Sequence, residues 1–126
     1  MSTLQITGVD FVTLPVKDFD ASMEFYGETL GLPFVKRWGT MPGAEFQAGN
    51  LTIALMEPGA FGQEFRAHAV PLALQVPDVA EARATLEERG VRFLGDTIDS
   101  GVCHQALFRD PAGNVLDLHH RYAPAD

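Results

Sequence analysis

The chain has 126 residues, enough for one packed domain and too few for two of ordinary size. Hydrophobic residues make up 46% and charged residues 21%, a balance that supports a core and argues against disorder. The net charge of −8 leaves no basic face for nucleic acid, and no apolar run approaches the roughly 20 residues of a membrane span. Met1 to Thr7 lack the basic-then-apolar profile of a secretory signal. The single cysteine, Cys103, has no internal partner, so a cytoplasmic location is expected.

In chain order, residues 11–16 alternate in polarity and predict a strand. Val12, Leu14 and Val16 form its core side, leaving Phe11, Thr13 and Pro15 on the other. Phe19, Met23, Tyr26 and Leu30 follow at spacings of four, three and four, which predicts one apolar helix face ending at Gly31. Strand-like stretches at 33–38, 44–48 and 51–56 come next, the last two joined by Gly49-Asn50. Residues 57–69, with Pro58, Gly59 and Gly62, read as a linker.

The pattern then recurs sixty residues on: residues 71–79 repeat the shape of 11–19. Val79, Ala82 and Leu86 predict a second helix, with Asp78 as N-cap, Glu81 completing a capping box and Gly90 as the stop. Strands are expected at 91–94, 102–109 and 115–120, with Gly113-Asn114 as the final turn. Each half is βαβββ. The expected organisation is a single domain, 1–126, built from modules 6–57 and 70–121, neither with enough core to stand alone.

Phe25-Tyr26 with Leu30-Gly31-Leu32 in the first half, and Arg109-Asp110-Pro111-Ala112-Gly113-Asn114 in the second, carry a resemblance. The chain resembles the vicinal oxygen chelate superfamily, which includes glyoxalase I, bleomycin-resistance proteins and extradiol dioxygenases. The resemblance implies an α+β fold in which two tandem βαβββ modules form a curved mixed sheet around a cavity, and a homodimer. Metal-dependent members carry ligands on the first and last strand of each half. Those positions here hold Phe11, Ala54, Pro71 and Asp117. Three of the four side chains have no donor atom, so no metal and no cofactor are expected.

Strand alternation then gives the cavity candidates. These are Phe11, Thr13, Ala54 and Met56 from the first half, and Pro71, Ala73, Gln75, Asp117 and His119 from the second. Trp38 and Phe46 join them as aromatic wall, with Phe61 and Phe65 as a lid or dimer contact. Asp117 and His119 stand roughly 6.7 Å apart along one strand face and are candidate acid–base residues, as is His104. With His104 or His68 they are also the raw material of a relocated metal site.

Other polar residues have structural readings. Cys103 and His104 are strand neighbours on opposite faces, so they do not make a nucleophile–base pair. His120 falls on the helix side, His68 in the linker, and Asp110 is expected to hold its turn. Arg109 either reaches a ligand carboxylate or covers the sheet edge. Three functions follow. The first is metal-free binding of a small aromatic or cationic compound. The second is a metal-independent isomerase or lyase using Asp117, His119 or His104, and the third a metal-dependent lyase or dioxygenase with displaced ligands.

Overall fold

The computed structural model of the chain describes residues 3–124. The elements run β1 (Val12–Pro15), α1 (Phe19–Glu24), β2 (Phe34–Arg37), β3 (Gly43–Ala48), β4 (Leu51–Met56), β5 (Leu72–Gln75), α2 (Val79–Glu88), β6 (Ile98–Asp99), β7 (Cys103–Arg109) and β8 (Val115–Arg121). They form two four-stranded mixed sheets of matching order, β1-β4-β3-β2 and β5-β8-β7-β6. In each, the first strand pairs parallel with the last and the remaining pairs are antiparallel.

Both helices start as their sequences direct. The Asp18 carboxylate accepts from the Ala21 N–H and the Asp78 carboxylate from the Glu81 N–H, each supplying a partner for an otherwise orphaned donor. Glu57 adds a long-range cap by accepting from the Phe19 N–H. The first helix departs from the expected regular spiral: α1 stops at Glu24 and a π turn spans Phe25–Thr29. Phe19 and Tyr26 are still buried, because both must reach the core from opposite ends of the segment. Gly31 and Gly90 take positive φ at the two exits, as the stop signals require.

One expected strand is absent. Residues 91–94 make only an isolated bridge, Phe93 to Phe108, and the edge of the second sheet is Ile98–Asp99 instead. Arg83 explains the detour: its guanidinium donates to the Gly95 carbonyl and the Thr97 hydroxyl and stacks on Phe93. The segment is held against α2 and touches β7 only at Phe93 and Leu94, whose N–H donates to the Leu107 carbonyl.

A single core joins the modules. Leu14, Phe46, Ile53 and Leu55 from the first sheet cluster with Leu86, Phe108, Leu116 and Leu118 from the second module. The helix-side faces of both sheets therefore point inward to one shared interior. By strand alternation their other faces point outward, away from each other.

A buried polar joint pins this arrangement. The Tyr26 hydroxyl donates to Asp110 Oδ2 at 2.7 Å, and the Asn114 side-chain amide donates to the same oxygen and to the Pro15 carbonyl. Asp110 Oδ1 accepts the Ala112 and Asn114 N–H groups, so the carboxylate is fully used. Asn114 Oδ1 accepts from the His68 N–H, which ties the linker to the same point. Burial, and then the neighbouring Asp110 carboxylate, push the Tyr26 phenol well above its usual range, so it remains a donor.

Candidate functional site

The outer face of the first sheet is read from its register. Thr13, Ala54 and Glu45 form one cross-strand row; Pro15, Met56 and Gly43 form the next. Thr52 and Gln47 form a third, with the Thr52 hydroxyl donating to Gln47 Oε1 at 2.7 Å. Trp38 packs over Gly43, the only residue that admits it: a Cβ there would collide with the indole ring. The indole N–H donates to Glu45 Oε2 at 2.6 Å, which fixes the ring plane. Phe11 and Phe61 flank the indole at 5.9 and 6.2 Å between centroids. Three aromatic rings thus form one cluster, with a carboxylate at the indole N–H edge of its central ring.

Phe46 is not part of this wall. It shares the row of Ile53, is 1% exposed, and contacts the buried Tyr26 ring and the exposed Phe34 ring. Its strand neighbours decide this: Ala44 and Phe46 face inward, so Glu45 and Gln47 face outward. Phe65 likewise packs against the core, with the Lys17 ammonium over its ring.

The outer face of the second sheet is polar. Ala73, Asp117 and Leu107 form one row, and Gln75, His119 and Gln105 the next. Pro71 precedes β5 and is exposed. Asp117 is only 3% exposed, and its Oδ1 has no hydrogen-bond partner. Burial pushes its carboxyl above the usual carboxylate range, while His119 and a backbone N–H at Ala106 pull the other way.

His104 leaves this group. It pairs across the strands with His120, in the row series of Ala106 and Leu118, and so lies on the helix-side face. There it stacks on Tyr122 at 4.6 Å and approaches Asp99 at 3.4 Å, while the Tyr122 hydroxyl donates to Asp99. Cys103 is buried on the opposite face.

The candidates do not share one enclosed space within the chain. A cavity of about 1010 Å³ opens between the modules on the helix side, lined largely by aliphatic residues such as Leu30, Ile53, Leu74 and Leu86. Of the candidates only Ala73 and Gln75 reach it. Glu45 and Gln105 are additional polar residues on the outer faces, and the alternation that located Thr13 and Asp117 would have located them too.

The model of the glyoxalase/bleomycin resistance protein/dioxygenase superfamily matches residues 8–118. The chain belongs to this superfamily. A Bacillus subtilis protein, YurT, is 29% identical over 117 residues, covering 82% of this chain and 91% of its own. Among solved structures, a superfamily member from Sphaerobacter thermophilus superposes with a TM-score of 0.78 at 27% identity, covering 92% of this chain and 98% of its own. TnmS3, an antibiotic binding protein from a Streptomyces species, superposes with a TM-score of 0.77 at 26% identity over 94% of this chain and 99% of its own.

Metal-binding members of the superfamily would place donors where this chain has Phe11, Ala54, Pro71 and Asp117. Carbon-only side chains cannot ligate, and one carboxylate is not a coordination sphere. Among the described residues no three His, Cys, Asp or Glu side chains gather closely enough to hold a metal ion. The inherited positions do not fit a divalent metal.

Proposed function

We propose that this superfamily member binds a small, flat aromatic or cationic compound without a metal, as a cytoplasmic homodimer. The carrying observation is the Phe11–Trp38–Phe61 cluster with Glu45 hydrogen-bonded to the indole N–H. Aromatic faces attract flat or cationic ligands through dispersion and the ring quadrupole, and the carboxylate adds negative potential at the same spot. The description of TnmS3 as antibiotic binding supports this reading.

The outward direction of the two faces supports the homodimer. A second copy that sets its second-sheet face against the first-sheet face would bring Thr13, Ala54 and Met56 opposite Ala73, Gln75, Asp117 and His119. The pairing of two equivalent modules in one chain is also what an internal duplication would produce.

Trp38 is the sole tryptophan, so its emission reports on the first face directly. Titration with planar cations such as acridinium dyes, and with bleomycin-like glycopeptides, should quench or shift that emission saturably. Trp38→Phe should remove the signal but keep most of the affinity seen by calorimetry, and Trp38→Ala should weaken binding about tenfold or more. Absence of any saturable ligand across such a panel would overturn the binding function.

Asp117 supports a second reading, acid–base catalysis together with His119. A carboxyl raised by burial and lacking a partner on Oδ1 holds a proton more readily than an ordinary aspartate, which suits it to proton transfer. Asp117→Asn separates the two readings: full ligand affinity with lost turnover establishes the enzyme, whereas weakened affinity without any turnover in the parent establishes the binder. Stoichiometric divalent metal in purified protein would establish displaced ligands and exclude both.

A further inference from the structure

A cavity of about 610 Å³ lies between the end of α2 and the β7–β8 turn, at the end of β7 where Arg109 continues the outer-face series of Gln105 and Leu107. Its lining residues include Phe25, Phe93 and Leu94, and three arginines: Arg89, Arg92 and Arg109. The chain has only nine basic residues and a net charge of −8, so a third of its cations surround this one space. None of the three is in an ion pair among the described residues.

The one carboxylate on the wall does not compensate them. Asp110 is 5% exposed and both its oxygens are already occupied by the Tyr26 hydroxyl, the Asn114 amide and two backbone N–H groups. Arg89 donates to the Thr29 carbonyl, which anchors it across the two modules but leaves its charge unbalanced. Like charges converging on a concave, partly apolar space raise the local positive potential and favour an anion there. Guanidinium forks match the two oxygens of a carboxylate or phosphate. The floor is aromatic: Phe93 and Phe25 lean on Phe108 at 5.2 and 6.4 Å between centroids.

We propose that this cavity is a second binding site, for a small organic anion in which a carboxylate or phosphate monoester is carried on a flat apolar body. The anionic group sits among Arg89, Arg92 and Arg109, and the body lies along Phe25 and Phe93. Apart from Arg109, which lies on the outer face of the second sheet, its walls are separate from the residues of the metal-free binding proposed above.

Phenyl phosphate tests it, titrated into the full chain and followed by backbone amide shifts and calorimetry, with benzyl alcohol as neutral control. The expected result is saturable shifts at Arg92, Phe93 and Arg109, binding that weakens as salt rises, and no saturable shifts with benzyl alcohol. The double variant Arg92→Gln/Arg109→Gln should lose about tenfold or more in affinity while keeping the parent unfolding temperature, since both side chains are exposed. Arg109→Lys should recover part of the affinity, because charge returns without the fork. Equal affinity in the double variant overturns the proposal. So does a phenyl phosphate complex that quenches Trp38 while leaving the arginine amides unmoved, since that puts the anion on the first sheet.

Discussion

The outer faces of the two sheets occupy equivalent places in equivalent modules, yet their chemistry has diverged. On the first, Gly43 clears room for Trp38, and Phe11, Trp38 and Phe61 cover the strands around a single carboxylate, Glu45. On the second, Asp117, His119, Gln75 and Gln105 stand in adjacent rows. The same backbone thus supplies an apolar, stacking surface once and a titratable, hydrogen-bonding surface once. A fold of this kind sets where side chains point and leaves the chemistry to the residues placed there.

That contrast depends on the joint between the modules, and breaking the joint should have the largest effect. Asp110→Ala leaves the Tyr26 hydroxyl, one of the two Asn114 amide hydrogens and two backbone N–H groups without acceptors in a buried place. A loss of about 3 to 5 kcal/mol is expected by chemical denaturation, with the outer faces disturbed together. If Asp110→Ala unfolds like the parent, the two faces do not depend on this joint.

Gly43→Ala attacks the first face alone. The added Cβ displaces the indole from its seat, at a cost of about 1 to 3 kcal/mol for the overpacked site. Trp38 emission should shift to the red and ligand binding at the first face should fall, while amide shifts around Asp117 stay as in the parent. Unchanged Trp38 emission would mean that the aromatic cluster is not anchored on Gly43.

Asp117→Asn attacks the second face and should have the smallest effect. Burial raises the Asp117 pKa in the folded chain, so the folded state favours the protonated acid. The stabilising contribution of that proton is present below the ordinary carboxylate pKa, about 3.9, and is lost as pH rises through the folded value. Asparagine, which never ionises, should therefore unfold at a higher temperature than the parent at pH 7, and the difference should vanish near pH 3. A difference of the same size at both pH values would assign the effect to packing rather than to charge.

The strand faces of the two sheets were largely legible from alternation. Leu14, Val16, Leu116 and Leu118 are core because polar or small residues alternate with them, and burial of apolar surface selects the register. Helix starts and stops were legible too, since Asp78, Gly31 and Gly90 act through local backbone geometry. Residues 91–94 were misread because their apolar run suits a strand, while the decisive contacts come from Arg83 on another element. Phe46 and His104 were misplaced for a related reason. Phe46 was assigned to the wall as an aromatic rather than by its register, and the face of His104 depended on a pairing with His120 that only the assembled sheet specifies.

By itself, then, the amino-acid sequence determined the two βαβββ modules and their core faces. These follow from periodicity, capping and side-chain chemistry, all of which act locally. Tertiary structure alone decided that the helix-side faces share one interior and the outer faces turn apart, that Trp38 lies on Glu45, and that three arginines surround one cavity. Such facts rest on contacts between residues far apart in the chain, and packing of the two modules against each other is what sets them.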